Sequence, residues 1–277
     1  MIRQTMKRRE FLKAKQRIII KVGTALITYE DGKINLIALE KLARVVAGLQ
    51  NEGREIILVT SGAVGSGMGI LNLNTKPESV VEKQALASVG QAALLRMYET
   101  FFKEYNQTIG QVLLTRDGIE DPVRRRNAKN TIERLLEMDV TPVINENDAI
   151  STEEIEFGDN DMLSVLVAEL INADLLIILT TTDGVFTDDP KQNRDARQVS
   201  TVLKARDDLK DIVANGKSNL GSGGMRSKIE AAELGRQKNI DVVIADGTEA
   251  NVIQDILDGE KQGTFFVSQT TNQRSME

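Results

Sequence analysis

The sequence contains no cysteine, no histidine and no tryptophan among its 277 residues. Without cysteine no disulfide can form, so the composition gives no sign of an oxidising compartment. Without cysteine and histidine, zinc fingers, thiol nucleophiles and Ser-His-Asp triads are excluded. Any catalysis must use carboxylates, lysine, arginine, hydroxyl groups, backbone amides or a bound ion. Such an ion should be hard and oxygen-liganded, as Mg²⁺ is.

Long hydrophobic runs are also absent. No segment approaches the ~20 apolar residues that cross a bilayer, and the apolar stretch at residues 18–20 is too short for a signal peptide. We therefore expect a cytoplasmic protein with no membrane partner. The length allows one large α/β domain or two small ones.

Charge is distributed unevenly along the chain. The net charge of −6 is not typical of a general nucleic-acid-binding protein, so no nucleic-acid partner is expected. Residues 1–17, in contrast, hold seven lysine or arginine residues and one acid. We expect residues 1–16 to form a flexible basic leader, with contact to an anionic partner as the alternative.

Apolar, β-branched runs alternate with stretches of helical periodicity. The predicted strands lie at 17–22, 55–60, 109–114, 141–144, 174–180, 241–245 and 264–267. One helix is predicted between Asn35 as N-cap and Gly53, and others at 78–105, 126–138, 161–171, 224–239 and 249–257. This alternation predicts an α/β fold with a mainly parallel sheet, helices on both faces and ligands at the carboxyl ends of the strands.

Two strand ends carry residues suited to anion binding. The first predicted strand runs into Lys21-Val22-Gly23-Thr24, where the lysine either finds a buried partner or reaches water at the strand edge. The second leads into residues 60–69, with four glycines and two serines whose backbone amides could cradle an anion. A glycine-rich turn is also common for purely geometric reasons.

Two further segments add carboxylates and a phosphate-binding pattern. Residues 145–161 contain seven acids and no basic residue, so an amine, Mg²⁺ or a lysine is expected among them. Residues 221–228 combine flexible glycines, a helix start and Lys228. Together the four segments indicate a nucleotide-dependent phosphoryl transfer.

These motifs resemble those of the glutamate 5-kinases, members of the amino acid kinase superfamily. The resemblance covers residues 17–267 and rests most strongly on Asn145-Glu146-Asn147-Asp148, Gly158-Asp159-Asn160-Asp161 and Gly223-Gly224-Met225. It implies an open, mainly parallel eight-stranded sheet in an αβα sandwich, the amino acid kinase fold. It also implies the reaction of ATP with L-glutamate to give ADP and L-glutamyl 5-phosphate, the first step of proline biosynthesis.

The resemblance assigns roles to individual residues. Lys21 and Lys228 would contact the transferring phosphate, and Asp161 would hold both lysines. Glutamate would be bound by Ser61, Asp148 and Asn160. ATP would be bound by Lys21, Thr180, Thr181, Ser222, Gly223, Gly224, Met225, Arg226, Ser227 and Lys228. Mg²⁺ would be carried by the ATP phosphates, with no direct protein ligand.

Members of the family commonly carry a C-terminal PUA domain, and proline commonly inhibits them. This chain ends soon after residue 267, so we expect a kinase domain at 17–268, a tail at 269–277 and no PUA domain. The resemblance also implies a homo-oligomer, a dimer or tetramer, and inhibition by proline with the loop 148–158 as its determinant.

Two alternatives stay open at this stage. Another kinase of the superfamily would act on acetylglutamate, aspartate, a nucleoside monophosphate or isopentenyl phosphate. A phosphorylated acceptor, however, favours an arginine cluster, and residues 145–161 contain no basic residue. A non-catalytic sensor of proline or glutamate would be marked by loss of Lys21, Asp161 or Lys228, and all three are present.

Overall fold

A computed structural model describes residues 9–73, 75, 77–150, 160–190, 192–203, 209 and 224–274. Eight strands in these residues form one sheet. In chain order they are β1 (Arg17–Val22), β2 (Glu55–Thr60), β3 (Thr108–Leu114), β4 (Val140–Glu146), β5 (Leu175–Thr180), β6 (Thr201–Val202), β7 (Asp241–Asp246) and β8 (Thr264–Phe266). Their order across the sheet is β3-β4-β2-β1-β5-β7-β8-β6.

The sheet is mainly parallel, which confirms the expectation from the sequence. Among the described strands, β7 and β8 form the one antiparallel pair, and the other neighbours run parallel. Strand β1 lies in the middle, between β2 and β5, and is buried from its second residue onward. Strand β6 was not predicted from the periodicity, because two residues are too few to show a pattern.

Helices cover both faces of the sheet. Within the described residues they are α1 (Thr24–Ile27), α2 (Leu36–Asn51), α3 (Ala63–Ile70), α4 (Val80–Glu104), α5 (Arg116–Glu120), α6 (Pro122–Glu137), α7 (Asn160–Leu170), α8 (Gly224–Gln237), α9 (Val252–Leu257) and α10 (Gln269–Arg274). One apolar core contains side chains of α2, α4 and α9, and the other contains side chains of α6, α7 and α8. This is the predicted αβα sandwich. In the described ranges no helix has both the length and the apolar character to cross a membrane.

One helix was not predicted from the sequence, and another begins earlier than predicted. The glycine-rich segment after β2 is already helical from Ala63, as α3. Its close packing on α4 requires glycine, because a Cβ on Gly90 would overlap the backbone of Ala63. Helix α6 begins at Pro122, ahead of the predicted residue 126, because the side chain of Asp121 accepts from two of its free N–H groups.

The described part of the leader packs against the sheet. Arg9 and Leu12 are buried, and Lys15 Nζ lies 2.7 Å from the buried carboxylate of Asp241. The expectation of a flexible leader therefore does not hold for residues 9–16, because an apolar side chain and two paired cations make their burial favourable. Residues 1–8 of the leader and 275–277 of the tail lie outside the described residues.

Candidate active site

A buried carboxylate joins two lysines from different elements. Asp161 Oδ1 lies 2.7 Å from Lys21 Nζ, and Asp161 Oδ2 lies 2.9 Å from Lys228 Nζ. The side chains of Asp161 and Lys21 are 0% and 2% exposed, and that of Lys228 is 12% exposed. The three groups together carry a net charge of +1. Such a centre favours an anionic ligand that reaches it through Lys228, the more accessible lysine.

The central strand accounts for the position of Lys21. Side chains alternate along a strand, so Lys21 shares the face of Ile19, whose core also contains side chains of α7 and α8. Strands β2 and β5 flank β1 on both sides, which leaves Lys21 no strand edge along which to reach water. Of the two interpretations that the sequence left open, the structure therefore supports the buried partner, and Asp161 is that partner.

Helix α8 brings Lys228 to the centre. Lys228 lies in its second turn and donates to the carbonyl of Gly224, 3.1 Å away, and to Asp161. The Ser227 hydroxyl also donates to the Gly224 carbonyl, at 3.0 Å. The N-terminal end of a helix offers free N–H groups and a positive dipole, so lysine and helix start together suit a phosphate.

Two neighbours of Lys228 in α8 are oriented differently. Arg226 is 84% exposed and pairs with Glu230 on its own helix, at 2.9 Å. Met225 is half-buried and packs against the core that includes α7 and α8. The structure therefore does not bring these two side chains to the centre. The predicted ATP-binding residues Ser222 and Gly223 lie outside the described residues.

A network of amides lies beside the lysine centre. Asn160, the first residue of α7, directs its side-chain nitrogen to the Thr60 carbonyl (2.8 Å), the Ser61 hydroxyl (3.0 Å) and Asn145 Oδ1 (2.8 Å). The ends of β2 and β4 are thereby joined to the start of α7. In the described part of the chain, the buried Oδ1 atom of Asn160 has no hydrogen-bond partner. A buried acceptor of this kind is costly unless a ligand supplies a donor.

Two site residues received no role in the sequence analysis. Asn145 lies at the buried end of β4, and its side-chain nitrogen donates to Gln91 Oε1 at 2.6 Å. Gln91 of α4 lines a cavity of about 220 Å³ together with Gln111, Glu146 and Asp148. Asp148 thus lies close to the network, since it lines the same cavity as Gln91. A polar residue closing an apolar strand was the available signal for Asn145, whereas Gln91 gave none.

The carboxyl end of β5 forms a second part of the site. Thr180 ends this strand, and its carbonyl accepts from the N–H of Gly247, which follows β7, at 2.8 Å. Thr181 is exposed. The adjacent Asp183 accepts from the N–H of Gly263 at 3.0 Å, which fixes the turn after β5 against the strand β8.

The structure describes only part of the acidic segment 145–161. Residues 151–159, which include Asp159 and most of the loop expected to determine proline inhibition, lie outside the described residues. Within the described part of the chain, no group of three or more acidic side chains could hold a metal ion.

Comparison with known proteins gives a family and close relatives. Residues 16–246 match the model of the amino acid kinase family. The chain is 46% identical to the glutamate 5-kinase of Clostridium perfringens over 264 residues, covering 94% of this chain and 98% of that protein. It is 49% identical to the glutamate 5-kinase of Caldanaerobacter subterraneus over 251 residues, covering 91% of this chain and 68% of that protein.

Solved structures show the same fold at low sequence identity. UMP kinase from Bacillus anthracis is similar with a TM-score of 0.62 and 20% identity, covering 92% of this chain and 97% of that chain. Isopentenyl phosphate kinase from T. acidophilum is similar with a TM-score of 0.60 and 18% identity, covering 91% and 100%. Identities this low support a shared fold only. The acceptor substrate is determined by the residues of the site.

Proposed function

The chain belongs to the amino acid kinase family, and from this we propose that it transfers the terminal phosphoryl group of ATP to the side-chain carboxylate of L-glutamate. The products are ADP and L-glutamyl 5-phosphate, and the reaction is the first step of proline biosynthesis. The observation that carries the proposal is the buried Lys21–Asp161–Lys228 centre beside an amide network at the ends of β2 and β4.

The reaction does not require the protein to transfer a proton. The reference pKa of a glutamate carboxyl is about 4.3, so the acceptor is ionised at neutral pH and no general base is needed. A carboxylate oxygen attacks the terminal phosphorus, and the bond from that phosphorus to the bridging oxygen of ADP breaks. No proton is gained or lost in this step. Catalysis is then a matter of alignment and of neutralising charge on the transferred group.

The lysine centre supplies this neutralisation. Lys228 would contact the transferring phosphoryl group directly, and Lys21 would contribute from its buried position behind it. Asp161 keeps two like charges close together, because its two oxygens each pair with one ammonium group. Without that carboxylate the lysines would repel each other and separate.

The amide network and Asp148 form the proposed glutamate site. Ser61 and Asn160 are in contact at 3.0 Å, and Asn160 Oδ1, which has no partner among the described residues, is a suitable acceptor for the substrate's α-ammonium group. Asp148, at the neighbouring cavity, would add a negative charge that an ammonium group favours. These features support an amino acid with a free amino group as the acceptor.

ATP would bind between the end of β5 and the start of α8. Thr180 and Thr181 would lie on the nucleoside side, and Gly224 to Lys228, with Ser222 and Gly223, on the phosphate side. The exposed Arg226 would contribute backbone rather than its guanidinium, since that group pairs with Glu230. Mg²⁺ would be held by the phosphate oxygens of ATP, because the centre presents ammonium groups where protein ligands would have to be carboxylates. When bound, the ion would withdraw charge from those oxygens.

Three further parts of the proposal rest on the family alone. They are inhibition by proline, assembly into a homo-oligomer and a cytoplasmic location, where ATP and L-glutamate are available. The described structure gives the proline hypothesis no direct support, since most of the loop 148–158 lies outside it.

An acceptor panel tests the function directly. We expect ADP release with L-glutamate, and a kcat/KM lower by about 10- to 200-fold with L-aspartate, which is one methylene shorter. N-acetyl-L-glutamate should be poorer still, because it offers no ammonium group to Asn160 and Asp148. UMP and isopentenyl phosphate should give no turnover above background. ADP release coupled to pyruvate kinase and lactate dehydrogenase measures all five.

The Asp161→Asn variant, prepared identically, measures contaminating ATPase activity. Preference for any other acceptor over L-glutamate would contradict the proposal.

Gln91 gives a test of the glutamate site that no sequence motif suggested. Gln91→Leu keeps the side-chain size but leaves the Asn145 amide without its acceptor at 2.6 Å. We expect the KM for L-glutamate to rise about tenfold, with the KM for ATP unchanged, because Asn145 also contacts Asn160. Initial-rate kinetics with each substrate varied in turn measures the split. Thr100→Ala on the same helix, whose hydroxyl donates only within the helix, is the matched control. Equal changes in both KM values would refute the assignment.

A further inference from the structure

Arg9 is a buried cation outside the residues that match the family model. Its guanidinium donates to four backbone carbonyls, at 2.9 to 3.2 Å, and lies over the ring of Phe265. The four carbonyls belong to Ser200, Glu260, Gln262 and Gly263. Burial lowers the pKa of Arg9 to about 10, so the side chain is still charged at neutral pH, and the carboxylate of Asp183 opposes this shift. Asp183 is therefore within electrostatic reach of the guanidinium.

Gly263 connects Arg9 to the turn after β5. Its carbonyl accepts from Arg9, and its N–H donates to Asp183 Oδ1 at 3.0 Å. One residue further, the Thr264 hydroxyl accepts from the N–H of Val185 at 2.8 Å. Gly184, with φ +84°, is packed so closely that a Cβ would lie 2.6 Å from the Thr264 nitrogen. The turn therefore rests on the backbone of residues 263–264 and moves only if that backbone moves.

From these contacts we infer that Arg9 is a positioning residue for the nucleotide end of the site. The Arg9 guanidinium donates to the carbonyl of Gly263, and the N–H of Gly263 donates to Asp183. Asp183 ends the short segment that begins with Thr180 and Thr181. The inference rests on the proposed function in one respect, since it takes the end of β5 as the place where ATP binds. It extends that function by assigning part of the nucleotide site to the N-terminal leader.

A second contact of the leader separates this role from simple anchoring. Lys15 pairs with Asp241 at 2.7 Å, and Asp241 is the first residue of β7. Gly263 instead adjoins the carboxyl end of β7, because the antiparallel partner of Thr264 is Ile244. Loss of Lys15 therefore loosens the leader at the end of the sheet that is remote from the nucleotide turn. Lys15→Ala is the matched control.

The expected result is a change in one Michaelis constant. Arg9→Ala should raise the KM for ATP about tenfold and leave the KM for L-glutamate within about twofold. Arg9→Lys should recover part of the loss, because an ammonium group keeps the charge but reaches fewer of the four carbonyls. Lys15→Ala should lower the melting temperature and leave both KM values unchanged. Initial-rate kinetics and thermal unfolding of the full-length variants measure these effects.

A double-mutant cycle distinguishes the proposed path from general destabilisation. Asp183→Ala alone should also raise the KM for ATP about tenfold, and adding Arg9→Ala should raise it little further, because both act through Gly263. Multiplied effects, or an Arg9→Ala variant that changes only the melting temperature, would overturn the inference. If Arg9→Ala does not fold, Arg9→Lys takes its place in the cycle. If the wild-type protein does not phosphorylate L-glutamate, the proposed function fails, while ATP titration of the same variants still tests Arg9.

Discussion

Replacement of Asp161 by asparagine is expected to lower kcat at least about a thousandfold while ATP still binds. An asparagine can accept from one lysine through its oxygen, but its amide nitrogen then presents a donor to the other lysine. One ammonium group must leave the centre, and the transferring phosphoryl group loses a neutralising charge. The KM for ATP should change little, because loss of the carboxylate's negative charge offsets the positive charge that the displaced ammonium group takes away. A fall in kcat without a rise in the KM for ATP is thus the expected signature.

The stability of this variant should fall as well, and a second buried aspartate provides the control. Breaking a buried ion pair from one side costs about 3–5 kcal/mol. Asp241 is also fully buried and also pairs with a lysine, Lys15, but lies at the amino end of β7. Asp241→Asn should therefore show a comparable drop in thermal stability with kcat retained. A folded Asp161→Asn variant that keeps more than a tenth of the wild-type kcat would contradict the proposed role.

The architecture was largely predictable because burial leaves a direct trace in the sequence. Seven of the eight described strands were predicted from apolar runs, and the N-cap Asn35 accepts from the N–H of Ala38 as the helix signal predicts. The exception, β6, is held by pairing with β8 and packing of Val202, which local pattern does not record. The glycine-rich segment was harder to interpret. Its glycines let helix α3 pack closely against Gly90 of α4. Glycine is needed both for flexible turns and for close packing, so the residue type alone does not distinguish the two.

The site was predictable only where a motif names its residues. Lys21, Asp161 and Lys228 are brought together by three elements that are distant in the chain, and the sequence alone left Lys21 with two interpretations. The contact of Gln91 with Asn145 depends on how α4 packs in the tertiary structure, and no local sequence pattern indicates it. For Arg9 the local sequence was misleading, because its positive charge favoured the prediction of a flexible leader. Its burial depends on four carbonyls contributed by residues far along the chain.

Lys228→Ala tests the other half of the charged centre and should lower kcat about 10²- to 10³-fold. Its ammonium group is the more accessible of the two and lies at the start of α8, where the phosphates are proposed to bind. Binding of L-glutamate should change less than about twofold, because the amide network around Asn160 does not include Lys228. Single-turnover kinetics and glutamate titration separate the chemical step from binding. Lys238→Ala, which removes a surface ion pair with Glu169 just beyond the same helix, should leave all constants unchanged.

The two large effects should not multiply when combined. Lys228→Ala leaves Asp161 paired with Lys21, so its cost in stability should be smaller than that of Asp161→Asn. In the Lys228→Ala background, the Asp161 carboxylate pairs with one ammonium group instead of two. Asp161→Asn should therefore lower kcat much less in this background than in the wild-type protein. The double variant should therefore be little slower than Asp161→Asn alone. Fully multiplied losses would mean that Asp161 acts on the reaction independently of Lys228, and the proposal that it works by holding the two lysines would fail.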